Sequence, residues 1–252
     1  MTTRVSASLR NLAFLSIAAA GLTFAQTAST SALTGTYVFS ERGNATTTLA
    51  SLTFAADGSA SGTAVVQQGH QVYTYAVQGT YITNSDNSKG LTLTGPSLDT
   101  VDANGDPLLY HEVMMMIPVS SNSFATLRTD VGQNVGQLVA AGQGLAAGTY
   151  QISGREVDPA DTSIELVNLD SAGSISGQKI TNSFGQIVQK ALSGTITVTP
   201  TSFQQITVNA SFTDTNGNPQ TATETYMALA TQNDIKMVQT GGGAPGLLTL
   251  SQ

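Results

Sequence analysis

The chain repeats itself, and that constrains its fold more than any single motif does. Gly35-Thr36-Tyr37 is echoed by Gly148-Thr149-Tyr150, and Gly58-Ser59-Ala60-Ser61-Gly62 by Gly173-Ser174-Ile175-Ser176-Gly177. Gly79-Thr80-Tyr81-Ile82-Thr83 answers to Gly194-Thr195-Ile196-Thr197-Val198. Asp102-Ala103-Asn104-Gly105-Asp106-Pro107 answers to Asp214-Thr215-Asn216-Gly217-Asn218-Pro219, with Glu112 and Met115 at the same offset as Glu224 and Met227. A sixth match aligns Gly136-Gln137-Leu138 with Gly246-Leu247-Leu248, and the offset drifts only between 110 and 115. Single matches of Gly, Ser and Thr are cheap in a chain rich in them, but six in colinear order are not. The sequence reads as a tandem duplication, one copy at 33–144 and the other at 145–252.

Within each copy the apolar residues recur at every second position. Tyr37 and Phe39 alternate with Thr36 and Val38, Leu52 and Phe54 with Ser51 and Thr53, and Ile206, Val208, Ala210 and Phe212 with Thr207, Asn209 and Ser211. That is strand spacing, one face buried and one wet. Asp57-Gly58, Asn104-Gly105 and Asn216-Gly217 punctuate the runs and predict tight primed hairpin turns, which need positive φ. Pro107 and Pro219 follow their turns, where a strand can begin without an N–H. The first copy is expected to hold about eight strands, near 35–40, 47–54, 59–67, 71–83, 90–94, 107–118, 123–129 and 136–142, with a similar set from 148 to 251. Joined by short turns, they form an antiparallel meander whose first and last strands would expose unpaired backbone. Pairing the Gly35-Thr36-Tyr37 strand with that of Leu138 and Val139 removes both edges, and the last residue, Gln252, falls where the second closing strand would end. The expectation is therefore all-β, two tandem antiparallel up-and-down barrels, with β-sandwiches as the alternative.

The Gly-x-aromatic motif on the first strand of an eight-stranded meander, present at Tyr37 and again at Tyr150, resembles the lipocalin and calycin group and the lipocalin-like domains of exported bacterial proteins. The resemblance spans both copies. It implies a barrel able to enclose an apolar cavity, and no catalysis. The chain departs from the pattern in carrying Tyr37 and Tyr150 where lipocalins carry Trp, and in lacking the cysteines for their disulfides.

The first 25 residues differ in character. Arg4 and Arg10 precede an apolar stretch from Leu12 to Phe24, the layout of a helical secretory signal cleaved near Ala25, followed by a short leader at 26–32. The stretch is shorter than the ~20 residues a membrane anchor needs, and Ser16, Gly21 and Thr23 interrupt it. The chain has no cysteine, which excludes lipoprotein attachment, disulfides and thiolate chemistry. With 9 basic against 16 acidic residues the formal charge is −7, and loss of Arg4 and Arg10 leaves 7 against 16, near −9. Such a surface does not attract phosphate backbones, so nucleic acid is not an expected partner. The expected product is soluble, acidic and exported, secreted or periplasmic, from a bacterium.

Residues able to carry chemistry are few. His70, in a hairpin turn, and His111, in a strand beside Glu112, have no counterparts in the other copy and no converging ligands, so no metal site is expected. Ser174 and Ser176 lie between glycines, as Ser59 and Ser61 do, but in hairpins and not on the strand-to-helix elbow of a nucleophile. Asp102, Asn104 and Asp106 alternate like calcium ligands, yet Val113 stands at the twelfth position where such a loop needs Glu, and a turn explains them better. Glu112 and Glu224 match across the copies and could face the barrel interiors. Arg128 could partner Glu112, with Gln239 and Lys236 nearest that place in the second copy. A surface cross-strand pair is expected there, not an acid–base dyad. Glycosidase chemistry lacks support too, since there is no Trp platform for a sugar.

Along Val113-Met114-Met115-Met116-Ile117, Met114 and Met116 share one face and Met115 the other; one face is core and the opposite one is expected to pack between the domains. Insertion into an outer membrane takes strands of ~9–11 residues with a continuous apolar band, whereas most runs here are shorter and their outward positions are Thr, Ser, Gln and Asn. No catalytic, cofactor-binding or metal-ligating residue is assigned. Two functions compete: a non-enzymatic module of the envelope or extracellular space acting through its exterior, and a carrier of a small apolar ligand. Inward-pointing Phe39, Phe54, Tyr73 and Tyr75 would fill a narrow barrel and argue against the carrier.

Overall fold

A computed structural model describes residues 32–43, 46–130, 134–142, 146–156, 161–183, 185–198, 203–214, 216–241 and 246–251. The secretory signal expected at 1–25 lies outside them. The first barrel consists of β1 (Gly35–Arg42), β2 (Thr46–Phe54), β3 (Ser59–Gln68), β4 (Gln71–Thr83), β5 (Lys89–Val101), β6 (Pro107–Ser120), β7 (Ser123–Arg128) and β8 (Val135–Ala140). The second consists of β9 (Gly148–Glu156), β10 (Asp161–Leu169), β11 (Ser174–Ser183), β12 (Gln186–Val198), β13 (Gln204–Thr213), β14 (Pro219–Ala230), β15 (Asp234–Gly241) and β16 (Gly246–Ser251). Each set is antiparallel, pairs in sequence order and closes on itself, β1 with β8 and β9 with β16, so these are up-and-down barrels and not sandwiches.

Closing eight strands around a narrow core needs sharp coiling, and inward-facing glycines permit it. A Cβ on Gly62 would lie 1.9 Å from the Ser51 carbonyl oxygen, and one on Gly79 1.8 Å from that of Thr92. Gly177 and Gly194 are as tight in the second barrel, at 2.1 Å from Leu166 and 2.0 Å from Thr207. The glycines of the repeated motifs thus divide two tasks. Gly58 and Gly173 turn the chain at φ of 87° and 83°, while Gly62 and Gly177, four residues on, let neighbouring strands approach.

The turns at Asp102 and Asp214 are built alike. Asp102 accepts bonds from the N–H groups of Asn104 (2.8 Å) and Asp106 (3.0 Å), and Asp214 from those of Asn216 (2.9 Å) and Asn218 (2.8 Å). Positive φ falls on Gly105 and Gly217 but not on the preceding asparagines. These are three-residue loops ending in a bulge glycine, not the two-residue primed turns expected, because the aspartate holds the first half of the turn in the right-handed region. Strand β5 also runs past its expected end at 94 to Val101; Pro96 stays within it, where the register against β6 shifts between Pro96 and Val101.

Five of the six sequence matches are in structural register. In the sixth, Glu41 pairs with Gly136 whereas its counterpart Gly154 pairs with Leu248, so Gly136 corresponds to Leu248 and not to Gly246. The methionine expectation also needs correcting. Met114 and Met116 are buried in the first barrel, but Met115 does not pack between the domains. The seam instead joins Val38, Leu49 and Val65, on the outer faces of β1–β3, to Phe203, Leu229 and Val238, with Val72, Met227 and Leu247 at its margin. Strand β6 lies three strands from both β1 and β3 around the barrel, so its outer face points elsewhere.

Candidate functional site

Each barrel encloses charged side chains. In the first they gather near the end where β1 leads to β2 and β7 to β8. Glu41 follows Tyr37 and Phe39 on the inward face and is 1% exposed; Glu112 lies between inward Tyr110 and Met114 and is 0% exposed. The Tyr110 hydroxyl donates to Glu112 Oε2, and Asn134 Nδ2 donates to Glu41 Oε1 at 2.6 Å. Burial, then the hydrogen bond and negative charge of Glu41, push the Glu112 carboxyl up to about 10, against a smaller opposing effect of Arg128. Glu112 is therefore a neutral acid at ordinary pH. Glu41 Oε2 and Glu112 Oε1 have no other hydrogen-bond partner, and a proton on Glu112 shared with Glu41 satisfies both.

The Glu112–Arg128 surface pair expected from the sequence is thus an interior acid pair. Arg128 sits beside it, its Nη1 4.0 Å from Glu41, but its strongest tie is to Asp130, 2.7 Å from Nε. Its Nη2 also donates to the His111 carbonyl at 3.1 Å. The reason is the alternation of β6: whatever faces the same way as Tyr110 and Met114 faces inward.

The second barrel solves the same problem differently. Lys179 Nζ lies 2.7 Å from Glu165 and 3.5 Å from Glu224, all three side chains being buried, and Tyr226 donates to Glu224 at 2.5 Å. Glu165 and Lys179 face each other across β10–β11 where Ala50 and Ala64 do across β2–β3. A buried carboxylate needs a proton or a cation; the first barrel uses the proton and the second the cation. Glu41, Asn134, Glu165 and Lys179 were missed in the sequence, although the inward parity of Glu41, Glu165 and Lys179 was a usable signal.

Around these groups apolar and aromatic side chains pack both interiors. Phe39, Phe54 and Tyr75 are buried in the first core, with Tyr73 packed at its margin. Rings meet edge to face at 5.6 Å for Tyr37–Phe54 and again for Phe54–Tyr81, and Tyr75–Tyr110 lie 5.2 Å apart. The second barrel holds a void of about 20 Å³ lined by apolar residues that include Tyr150, Ile196, Tyr226 and Met237. That is room for about one water molecule, far below the ~300 Å³ of a small-ligand pocket. A shallow depression of about 510 Å³ lies outside β3–β5, lined by residues that include Ser59, Ser61, Gln78, Thr80, Thr92 and Thr94.

The remaining candidates stay apart from one another. His70 is exposed in its turn; His111 is 57% exposed, with Nδ1 3.5 Å from Asp130. The Ser59 hydroxyl donates to Asp57 at 2.6 Å, and the Asp102 carboxylate is occupied by its own turn. Among the described residues no three His, Cys, Asp or Glu side chains converge as metal ligands, and no helix is long and apolar enough to cross a membrane. Comparison of the chain with protein-family models, with curated proteins and with solved structures finds no match in any of the three.

Proposed function

We propose that this is an exported, non-enzymatic module of the cell envelope or extracellular space that acts through the outer surfaces of its two barrels. The observation that supports this reading is the filled interior: aromatic and aliphatic side chains occupy the first barrel, and the second leaves a void of about 20 Å³. The interior carboxyls are sealed in, one pair sharing a proton in the first barrel and the other pair flanking Lys179 in the second, so they serve the core and not a substrate. The acidic charge of −7 disfavours nucleic acid as a partner. The Ser, Gln and Thr surface of β3–β5 likewise disfavours a lipid-facing barrel. The competing reading, a lipocalin-like carrier of a small apolar ligand, draws on the wholly apolar lining of the second void.

Native mass spectrometry of the protein purified from its own host separates the two. The expected spectrum shows masses of the polypeptide alone, beginning after Ala25 if the leader is a cleaved signal. A small molecule that co-purifies and leaves only on unfolding would overturn the exterior-acting reading in favour of the carrier.

A further inference from the structure

The seam between the barrels joins two different faces. One is the outer face of β1–β4 in the first barrel, with Val38, Leu49, Val65 and Val72; the other is the outer face of β14–β16 in the second, with Met227, Leu229, Val238 and Leu247. Such a contact is heterologous. Since the barrels are copies, each face has a counterpart on the other barrel, and strand pairing identifies its residues. Leu49 pairs with Val65 as Ile164 pairs with Ile180, and Gln67 pairs with Val72 as Asn182 pairs with Ile187. Met115 pairs with Leu127 and Leu127 with Val135, as Met227 pairs with Val238 and Val238 with Leu247. Ile117, two residues after Met115, answers to Leu229.

These counterparts are apolar and face water. Ile164, Ile180 and Ile187 are 62%, 45% and 74% exposed; Ile117, Leu127 and Val135 are 56%, 47% and 61% exposed. One exposed isoleucine needs no explanation. Six that fall on the seam-equivalent positions, and on both halves of the pair, form two patches of the kind that marks an interaction surface. The molecule therefore contains one closed seam and, on opposite barrels, both halves of an open one.

We propose that a second copy of this chain docks the β10–β12 face of its second barrel onto the β6–β8 face of the first barrel, repeating the internal seam between molecules. Being heterologous, the contact adds copies head to tail and makes a rod or a ring of barrels in one continuous series. The intermolecular seam is the weaker of the two. Ser88 stands where Phe203 fills the internal seam, and Gln151 where Val38 does, although exposed Ile82, lying over Gly90 beside Met115, adds apolar surface. The proposal deepens the exterior-acting reading and rests on it, since it names the chain itself as the occupant of the outer faces.

Sedimentation equilibrium of the full two-barrel protein over a concentration series tests it, using one variant per face, Ile180→Asp and Leu127→Asp. Both side chains are exposed, and circular dichroism with a melting curve checks that each variant is folded. The wild type is expected to grow past a dimer with concentration, and each variant alone to associate about tenfold or more weakly. An equimolar mixture of the two should regain association but stop at the dimer, because only one good face remains on each partner. A wild type that stays monomeric up to about millimolar concentration, undiminished association by either variant alone, or a mixture no better than its components would overturn the proposal. Monomers with a ligand-free mass spectrum would leave the exterior-acting reading standing, whereas a bound ligand would remove that reading whatever the state of association.

Discussion

Glu112 keeps its proton inside the first barrel up to about pH 10, whereas an unfolded chain releases it near its ordinary value of 4.5. Between those limits the native state binds a proton that the unfolded state does not. Stability must fall as pH rises through that window, by up to about 1.4 kcal/mol per pH unit for one proton, with no penalty below it. Glu112→Gln keeps an acceptor for Tyr110 and a donor for Glu41 but cannot ionise. Urea unfolding at several pH values is therefore expected to show the variant gaining on the wild type from about pH 5 to about pH 9, the two converging in acid. A difference that stays flat across the series would mean that Glu112 does not hold its proton in the barrel. The acid pair was half legible in the sequence. Glu112 announced itself by matching Glu224, but Glu41, on β1, and Asn134, just ahead of β8, come together only on closure, and nothing near Glu112 in the chain points to them.

Strands and turns place different demands on glycine, and substitution separates them. Gly105 carries a φ of 87° with open space where a side chain would go, so Gly105→Ala strains only the backbone, at about 1 kcal/mol. Gly79 would push a methyl group to 1.8 Å from the Thr92 carbonyl, so Gly79→Ala must part β4 from β5, at about 3 kcal/mol, the upper end of overpacking costs. Urea midpoints measured in one buffer should rank the variants in that order, and the reverse order would show that the barrel can uncoil locally at little cost. Most elements were legible because two-residue alternation and Asx-Gly turns are local signals. The largest miss is β5, expected to end at 94 before Gly95-Pro96, where two residues that normally break a strand sit beside a bulge that tolerates them. The seam was illegible for the opposite reason. Leu49, Val65 and Val238 are apolar residues at outward positions, and which outward residues meet is decided by how one barrel lies against the other, not by any repeat within a strand.

At the scale of the whole molecule, the question is whether two closed barrels behave as one cooperative unit. Apart from the apolar seam, described contacts between them include the Ala141–Thr231 bridge, with the Gly142 N–H donating to the Ala230 carbonyl at 2.8 Å, and a long bond from Asn122 to Gln232 at 3.5 Å. Such polar contacts at the periphery add little to stability, so coupling rests on the seam, and Phe203, 0% exposed, is its largest side chain. Phe203→Ala leaves a cavity that flanking strands, each locked into a closed ladder, cannot collapse to fill, and costs about 3–5 kcal/mol. The loss falls on the contact between barrels and not within either one. The wild type is expected to unfold in one calorimetric transition, with calorimetric and van't Hoff enthalpies equal, and Phe203→Ala to split it into two. Two transitions already present in the wild type would show that the seam does not couple the barrels. Because Ser88 takes the place of Phe203 in the first barrel, the seam between chains lacks the side chain on which the coupling of the two barrels within a chain rests.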